Sequence, residues 1–140
     1  MIPFCWQARV YWEDTDAGGI VYYANYLRFL ERARTEWLRS RGISQSTLAS
    51  EEGVVFSVVA VQAQYHRAAR LDDRLRVSCE PQRQGGASIE FAQRIWREAE
   101  SADPARPEEL LLTASVRVAC LDARTMKPRR LPAVVVGELP

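Results

Sequence analysis

One stretch of this chain governs what it can become. From about Tyr22 to Arg41 the apolar residues recur at helical spacing, with Tyr26, Leu30, Ala33 and Trp37 at i, i+4, i+7 and i+11. Leu27 and Leu38 widen that stripe, while Arg28, Arg32, Glu36 and Arg39 lie elsewhere. Gly42 suits the left-handed position that ends a helix. Asn25 is an N-cap by residue type, and Tyr23 and Ala24 are alternative starts. A helix of that length measures about 30 Å at 1.5 Å per residue, enough to cross a small domain.

Everything around the helix is patterned as strand. Gln7 to Trp12 alternates, with Val10 and Trp12 on one face and Arg9 and Tyr11 on the other. After a loop from Ser44 to Gly53, the Val-rich Val54 to Tyr65 reads as a long, largely buried strand. Asp72 to Glu80 sends Leu75, Val77 and Cys79 one way and Arg74, Arg76 and Ser78 the other. Gly85-Gly86 marks a hairpin, and Ala87 to Trp96 sets Ile89, Phe91 and Ile95 against Glu90 and Arg94. Glu98 to Glu109 carries two prolines and reads as a solvent loop, Leu110 to Leu121 as the last long strand, and Ala133 to Val136 is too short to assign. The 140 residues therefore predict one α+β domain over 1–140: an antiparallel sheet of about five strands covered by one helix. Its remaining face and edges are left to a partner subunit, which points to oligomerisation.

Composition removes several classes of function. A formal net charge of +1 gives no field for nucleic acid, although 18 of the 19 basic residues are arginine and Lys127 is the single lysine. No apolar run approaches the roughly 20 residues of a membrane span, and Met1-Ile2-Pro3-Phe4-Cys5-Trp6 has neither the basic start nor the apolar core of a secretory signal. Cys5, Cys79 and Cys120 are too few and too scattered for a disulfide framework, so free thiols in a reducing cytoplasm are expected. With one histidine, His66, a zinc site with two His ligands is impossible, and a Ser-His-Asp or Cys-His arrangement would have to run through it. There is no G-x-G-x-x-G, no Walker A loop and no internal repeat. His66 itself reads as a strand-end residue with a hydrogen-bond partner.

The chemistry concentrates just ahead of the helix. Glu13-Asp14-Thr15-Asp16-Ala17-Gly18-Gly19 packs three carboxylates and two glycines into seven residues. A helix start offers unpaired N–H groups and a partial positive charge. A carboxylate held there, beside amides free to receive a carbonyl oxygen, is the minimum equipment for acyl transfer. The alternative is structural: Asp14 or Asp16 caps the helix and the glycines make a turn.

Val10-Tyr11-Trp12-Glu13-Asp14-Thr15-Asp16-Ala17-Gly18-Gly19-Ile20-Val21-Tyr22-Tyr23-Ala24-Asn25-Tyr26-Leu27 resembles the signature of the 4-hydroxybenzoyl-CoA thioesterase family. Glu31-Arg32-Ala33-Arg34-Thr35-Glu36, Ala69-Arg70-Leu71-Asp72-Asp73 and Met126-Lys127-Pro128-Arg129-Arg130-Leu131-Pro132 are similar to its branch of Tol–Pal-associated acyl-CoA thioesterases. The likeness covers nearly the whole chain. It implies a hotdog fold, an acyl-CoA substrate, no cofactor or metal, and dimers sharing active sites that often pair into tetramers. It further implies that Asp16 is catalytic and that the Tyr23 backbone N–H is the oxyanion donor. Many members of the branch carry His where this chain has Tyr23, so an acid–base task at that position does not transfer, whereas a backbone donor does.

Thioester hydrolysis suits so sparse a set of groups. A thiol leaves with a pKa near 8.5, so its thiolate departs with little protonation. Asp16 either attacks the carbonyl or draws a proton from water, and the residues alone leave both routes open. Further substrate-binding candidates are Gly19, Val58 and Val59 along the pantetheine and acyl path, with Ser88. Arg83, Lys127 and Arg129, like Arg67, Arg70 and Arg130, are candidates for the CoA phosphates. Two other classes compete. One is a scaffold for acyl carrier protein or envelope-associated partners with weak thioesterase activity. The other is a hydratase or dehydratase on the same fold, against which the lack of a His–Asp or His–Glu pair in the motif counts.

Overall fold

The computed structural model of the chain describes residues 3–100 and 105–140. Met1 and Ile2 of the N-terminal reading, and residues 101–104 of the expected Glu98–Glu109 loop, lie outside the described residues.

Five antiparallel strands form one sheet: β1 Phe4–Arg9, β2 Val54–Tyr65, β3 Arg74–Gln84, β4 Ser88–Arg97 and β5 Glu109–Asp122. One long helix, α1 Tyr26–Ser40, lies against it. The sheet order is β1-β3-β4-β5-β2, so β3, β4 and β5 form a meander. β2 stands apart from the meander, at the far edge, where it pairs with β5 and not with the β3 that follows it in sequence. Residues 66–73 carry the chain from β2 at one edge to β3, three strands away across the sheet. Val10 N–H to the Asp73 carbonyl and His66 N–H to the Leu111 carbonyl fasten the two ends of that link.

The helix forms as its periodicity predicts. Tyr26, Leu30, Ala33, Trp37 and Leu38 are buried, and Phe29 joins them. They meet the inward row of the sheet, including Leu75, Val77, Cys79, Ile89, Phe91 and Ile95, and Trp37 contacts Phe91 edge-on at 5.6 Å between ring centres. Each such large side chain contributes roughly 1.5–3 kcal/mol by leaving water. Leu27 is an exception to the expected stripe and stays exposed. Arg41 caps the helix and Gly42 follows with φ +76°, the left-handed geometry expected of it. Gln93, fully buried on the inward row of β4, spans helix and sheet: its amide donates to the carbonyls of Leu30 (3.0 Å) and Ser78 (3.3 Å).

Three further expectations are corrected or sharpened. The first strand is Phe4–Arg9, not Gln7–Trp12, because Trp12–Asp14 folds into a 3-10 turn that leaves Trp12 82% exposed. The apolar pattern starts at about Tyr22, ahead of the α-helix: a 3-10 turn over Tyr23–Asn25 leads into Tyr26, and Asn25 holds the N-cap position read from its type, without a side-chain cap bond. The Val54–Tyr65 strand has the predicted limits but is not largely buried, since β2 is an edge strand and Val58, Val59, Val61 and Tyr65 are exposed. A bulge between Val58 and Ala60 interrupts its ladder with β5. The Gly85-Gly86 hairpin, the buried thiols of Cys79 and Cys120, and the His66 partner (Nε2 to Thr113 Oγ1, 2.9 Å) all stand as read. Ala133–Val136 is a single helical turn.

Candidate active site

The loop ahead of α1 is a tight hairpin. Asp16 N–H donates to the Ile20 carbonyl (2.9 Å), Gly19 N–H to the Asp16 carbonyl (3.0 Å), and Thr15 bridges Val21. Gly19 sits at φ +78°, the left-handed residue that lets a short loop close. The Asp16 carboxylate accepts the Gly18 N–H at 2.8 Å through Oδ1 and is exposed on the single chain.

Neither carboxylate caps α1 through its side chain. Asp14 instead clamps the loop to the helix start from a buried position. Its Oδ2 accepts the Tyr11 N–H (2.8 Å), its Oδ1 accepts the Asn25 side-chain amide (2.7 Å), and its carbonyl accepts the Tyr22 N–H (2.9 Å). The segment Ala69–Asp73 lies along the other side. Ile20 bridges Arg70, Val21 N–H reaches the Ala69 carbonyl, and Ala69 N–H donates to the Tyr26 hydroxyl at 3.0 Å. Burial pushes the Tyr26 phenol above its ordinary value, against the opposing effect of that amide, so it stays a neutral hydroxyl. Arg106 and the Arg70 N–H hold the buried Asp73 carboxylate, which fixes the segment itself.

The helix start faces outward between these supports. Tyr22 N–H goes to Asp14 and Asn25 N–H to the Tyr22 carbonyl, and no acceptor among the described residues engages the Tyr23 amide. The Tyr23 carbonyl accepts the Tyr65 hydroxyl at 2.8 Å, and Tyr65 packs edge-on against Tyr26 at 5.5 Å. Aromatic side chains thus frame an amide donor at the positive end of a helical run from Tyr23 to Ser40, on the same surface loop system as an exposed carboxylate.

Asp16 and Gly19 share the hairpin that leads into the Tyr23–Asn25 turn, and the other candidates lie elsewhere on the fold. Val58 lies on the α1 side of β2, beside Glu31 and Arg34, and Val59 is the bulged residue next to it. Arg83 and Ser88 line a groove of about 470 Å³ with Arg117 and Glu90. Lys127 and Arg129 follow β5 beside the Val54 end of β2, roughly 30 Å along the strand from Tyr65. Arg129 is occupied there by the Gly53 carbonyl (3.0 Å) and Asp122 (3.5 Å). Among the described residues no group of three His, Cys, Asp or Glu side chains is placed to hold a metal ion, and no helix is long and apolar enough to cross a membrane. Sequence reasoning missed Asn25 as the partner of Asp14 and Tyr65 as the support of Tyr23. Only the polar type of the first and the strand end of the second hinted at either.

A five-stranded antiparallel sheet on one long helix, with this loop at the helix start, defines a hotdog-type thioesterase. The chain belongs to the Thioesterase superfamily, whose profile matches residues 18–102. It is 47% identical over 135 residues to the acyl-CoA thioester hydrolase YbgC of Escherichia coli O6:H1, covering 96% of this chain and 94% of that one. The acyl-CoA thioesterase YbgC of Haemophilus influenzae is 45% identical, covering 94% and 90%. Among solved structures, a probable thioesterase from Bartonella henselae superposes with a TM-score of 0.83 at 36% identity, covering 94% of this chain and all of that one.

Proposed function

We propose that the protein hydrolyses acyl-CoA thioesters, with Asp16 as the reacting carboxylate and the Tyr23 N–H as oxyanion donor. The observation that carries this reading is the exposed Asp16 carboxylate on a hairpin clamped, through Asp14 and Asn25, to a helix start whose Tyr23 amide has no acceptor among the described residues. The acyl-CoA activity named for the relatives supports the substrate class. Water adds to the thioester carbonyl, the C–S bond breaks, and the products are the free acid and CoA thiol. Two routes fit Asp16: attack on the carbonyl to give a mixed anhydride that water then opens, or removal of a proton from the attacking water. Solvent ¹⁸O appearing in the Asp16 carboxylate after a single turnover marks the first. A backbone donor at the oxyanion typically supplies about 10²–10³ in rate.

The second copy enters through β2. Its outer edge carries unpaired backbone groups, and Val58, Val59, Val61 and Tyr65 expose an apolar row beside the site. A homodimer formed along that edge, or a tetramer built from two, pairs those backbone groups and sets the second copy beside the site. The three free thiols suit a reducing cytoplasm.

Asp16→Asn tests the reading. Thiol release from a panel of acyl-CoA and aroyl-CoA esters is expected to fall by at least about 10³-fold in the variant while its melting temperature holds, an effect of the size removed with a reacting group. Turnover near that of the parent eliminates the mechanism, and release from no ester by the parent favours a carrier-protein scaffold.

A further inference from the structure

Two adjoining hollows form a groove along the seam between α1 and β2. Leu27 and Val61 share one of about 510 Å³, Phe56 and Leu38 close the other, a cavity of about 180 Å³, and farther along β2 the Tyr65 hydroxyl meets the Tyr23 carbonyl at the helix start. The two hollows share Glu31, Arg34 and Val58 and are otherwise walled mainly by apolar side chains. Arg34 is therefore a cation set midway along an apolar passage. It is half-buried and forms no ion pair among the described residues. Its Nη1 donates to Gln93 Oε1 at 3.0 Å, and Gln93 cannot turn away because its amide is held by the Leu30 and Ser78 carbonyls. The guanidinium is thus pre-aimed by a neutral partner. Burial holds it below its ordinary pKa, with the neighbouring Cys79 and Glu31 only partly opposing that effect.

We propose that Arg34 selects the acyl group, and that the groove takes CoA thioesters whose acyl chain ends in a carboxylate. This deepens the hydrolase reading and rests on it. A carboxylate matches the guanidinium fork in two parallel hydrogen bonds, and the apolar walls strengthen the pairing by excluding water. Glu31 offsets that charge only in part, since it is exposed and takes the Thr35 hydroxyl at 3.1 Å, while Arg28, Arg32 and Arg34 outnumber it along the passage. The reach fits a medium chain. Arg34 lies eleven residues beyond Tyr23, about 16 Å along the helix, and its side chain leans back toward the helix start. At about 1.2 Å per bond, eight to twelve carbons bridge the gap.

The test compares methyl-ended with carboxyl-ended acyl-CoA esters of eight, ten and twelve carbons, by thiol release, in the oligomer as purified. The parent is expected to favour the carboxyl-ended ester at least tenfold in kcat/KM at one of these lengths, mostly through KM. Arg34→Met should bring that ratio to one or below, and Arg34→Lys should keep part of it. Arg34→Gln keeps a donor for Gln93 while removing the charge and should also collapse the ratio, which decides the matter if Arg34→Met melts early. A ratio near one in the parent at every length, or one that survives Arg34→Met or Arg34→Gln, overturns the proposal while hydrolysis of methyl-ended esters leaves the parent reading standing. Release from no ester defeats both.

Discussion

Asn25 donates its side-chain amide to Asp14 Oδ1 at 2.7 Å, tying the residue just before α1 to a buried carboxylate eleven positions earlier. This bond, with the Tyr11 and Tyr22 amides on the same residue, holds the Asp16 hairpin in register with the helix start. Removing the amide leaves a buried carboxylate oxygen without its partner, which costs about 1–3 kcal/mol. Asn25→Ala is expected to lower stability by that amount in chemical denaturation. Its kcat should fall further than the stability loss explains, because the hairpin and the Tyr23 amide lose their common anchor.

Gly19 has open space around the position of a Cβ, so volume does not demand a glycine there. Its φ of +78° does, since a left-handed L-residue costs roughly 1–2 kcal/mol. Gly19→Ala should destabilise by about that much, or flip the turn and displace Asp16. Retained stability accompanied by lost turnover would report the flip.

The thiols should divide by burial. Burial pushes the Cys79 thiol up to about 12, with the Arg34 charge only partly opposing it, and raises Cys120 as well. Cys5 is half-buried on the edge strand β1. A chromogenic disulfide reagent at about pH 8, near the ordinary thiol pKa, is expected to titrate Cys5 alone in the native protein. All three should react after unfolding. Fast reaction of Cys79 would contradict the packing of β3 on α1.

Acid should act on the turn after β5. The Thr125 and Arg124 amides, at 2.9 Å each, hold the Asp122 carboxyl below its ordinary value, with Arg129 adding less. A depressed folded-state value stabilises the fold above the unfolded pKa of about 3.9, and that contribution is lost as pH falls through the folded value. The melting temperature of Asp122→Ala should therefore lie below the parent's near neutrality and converge with it in acid. A constant gap would mean the carboxylate is not the source.

Periodic features were legible in the sequence and long-range pairings were not. Alternation found β3 and β4 because one face of each meets α1. The limits of β2 were equally plain, but a Val-rich strand reads the same whether its own chain or another covers it, so its exposure was invisible. Val10, Trp12 and their neighbours alternate through a 3-10 turn that Asp14 imposes, and alternation cannot register a hydrogen bond to Asn25. The carboxylate–glycine loop announced itself through residue type. Arg34 and Gln93, 59 residues apart, carried no local signal at all, since only the packing of α1 on the sheet brings them together.

The bulge at Val59 changes the phase of β2. Before it the even-numbered side chains, Phe56 and Val58, turn toward α1; after it the odd-numbered Val61, Ala63 and Tyr65 do. Without the inserted residue, the strand's strict two-residue alternation would aim the Tyr65 hydroxyl at the opposite face of the sheet and leave the Tyr23 carbonyl without it. A single deletion there thus acts as a half-turn of the strand's whole distal half, moving the support of the Tyr23 turn without altering any residue that forms it.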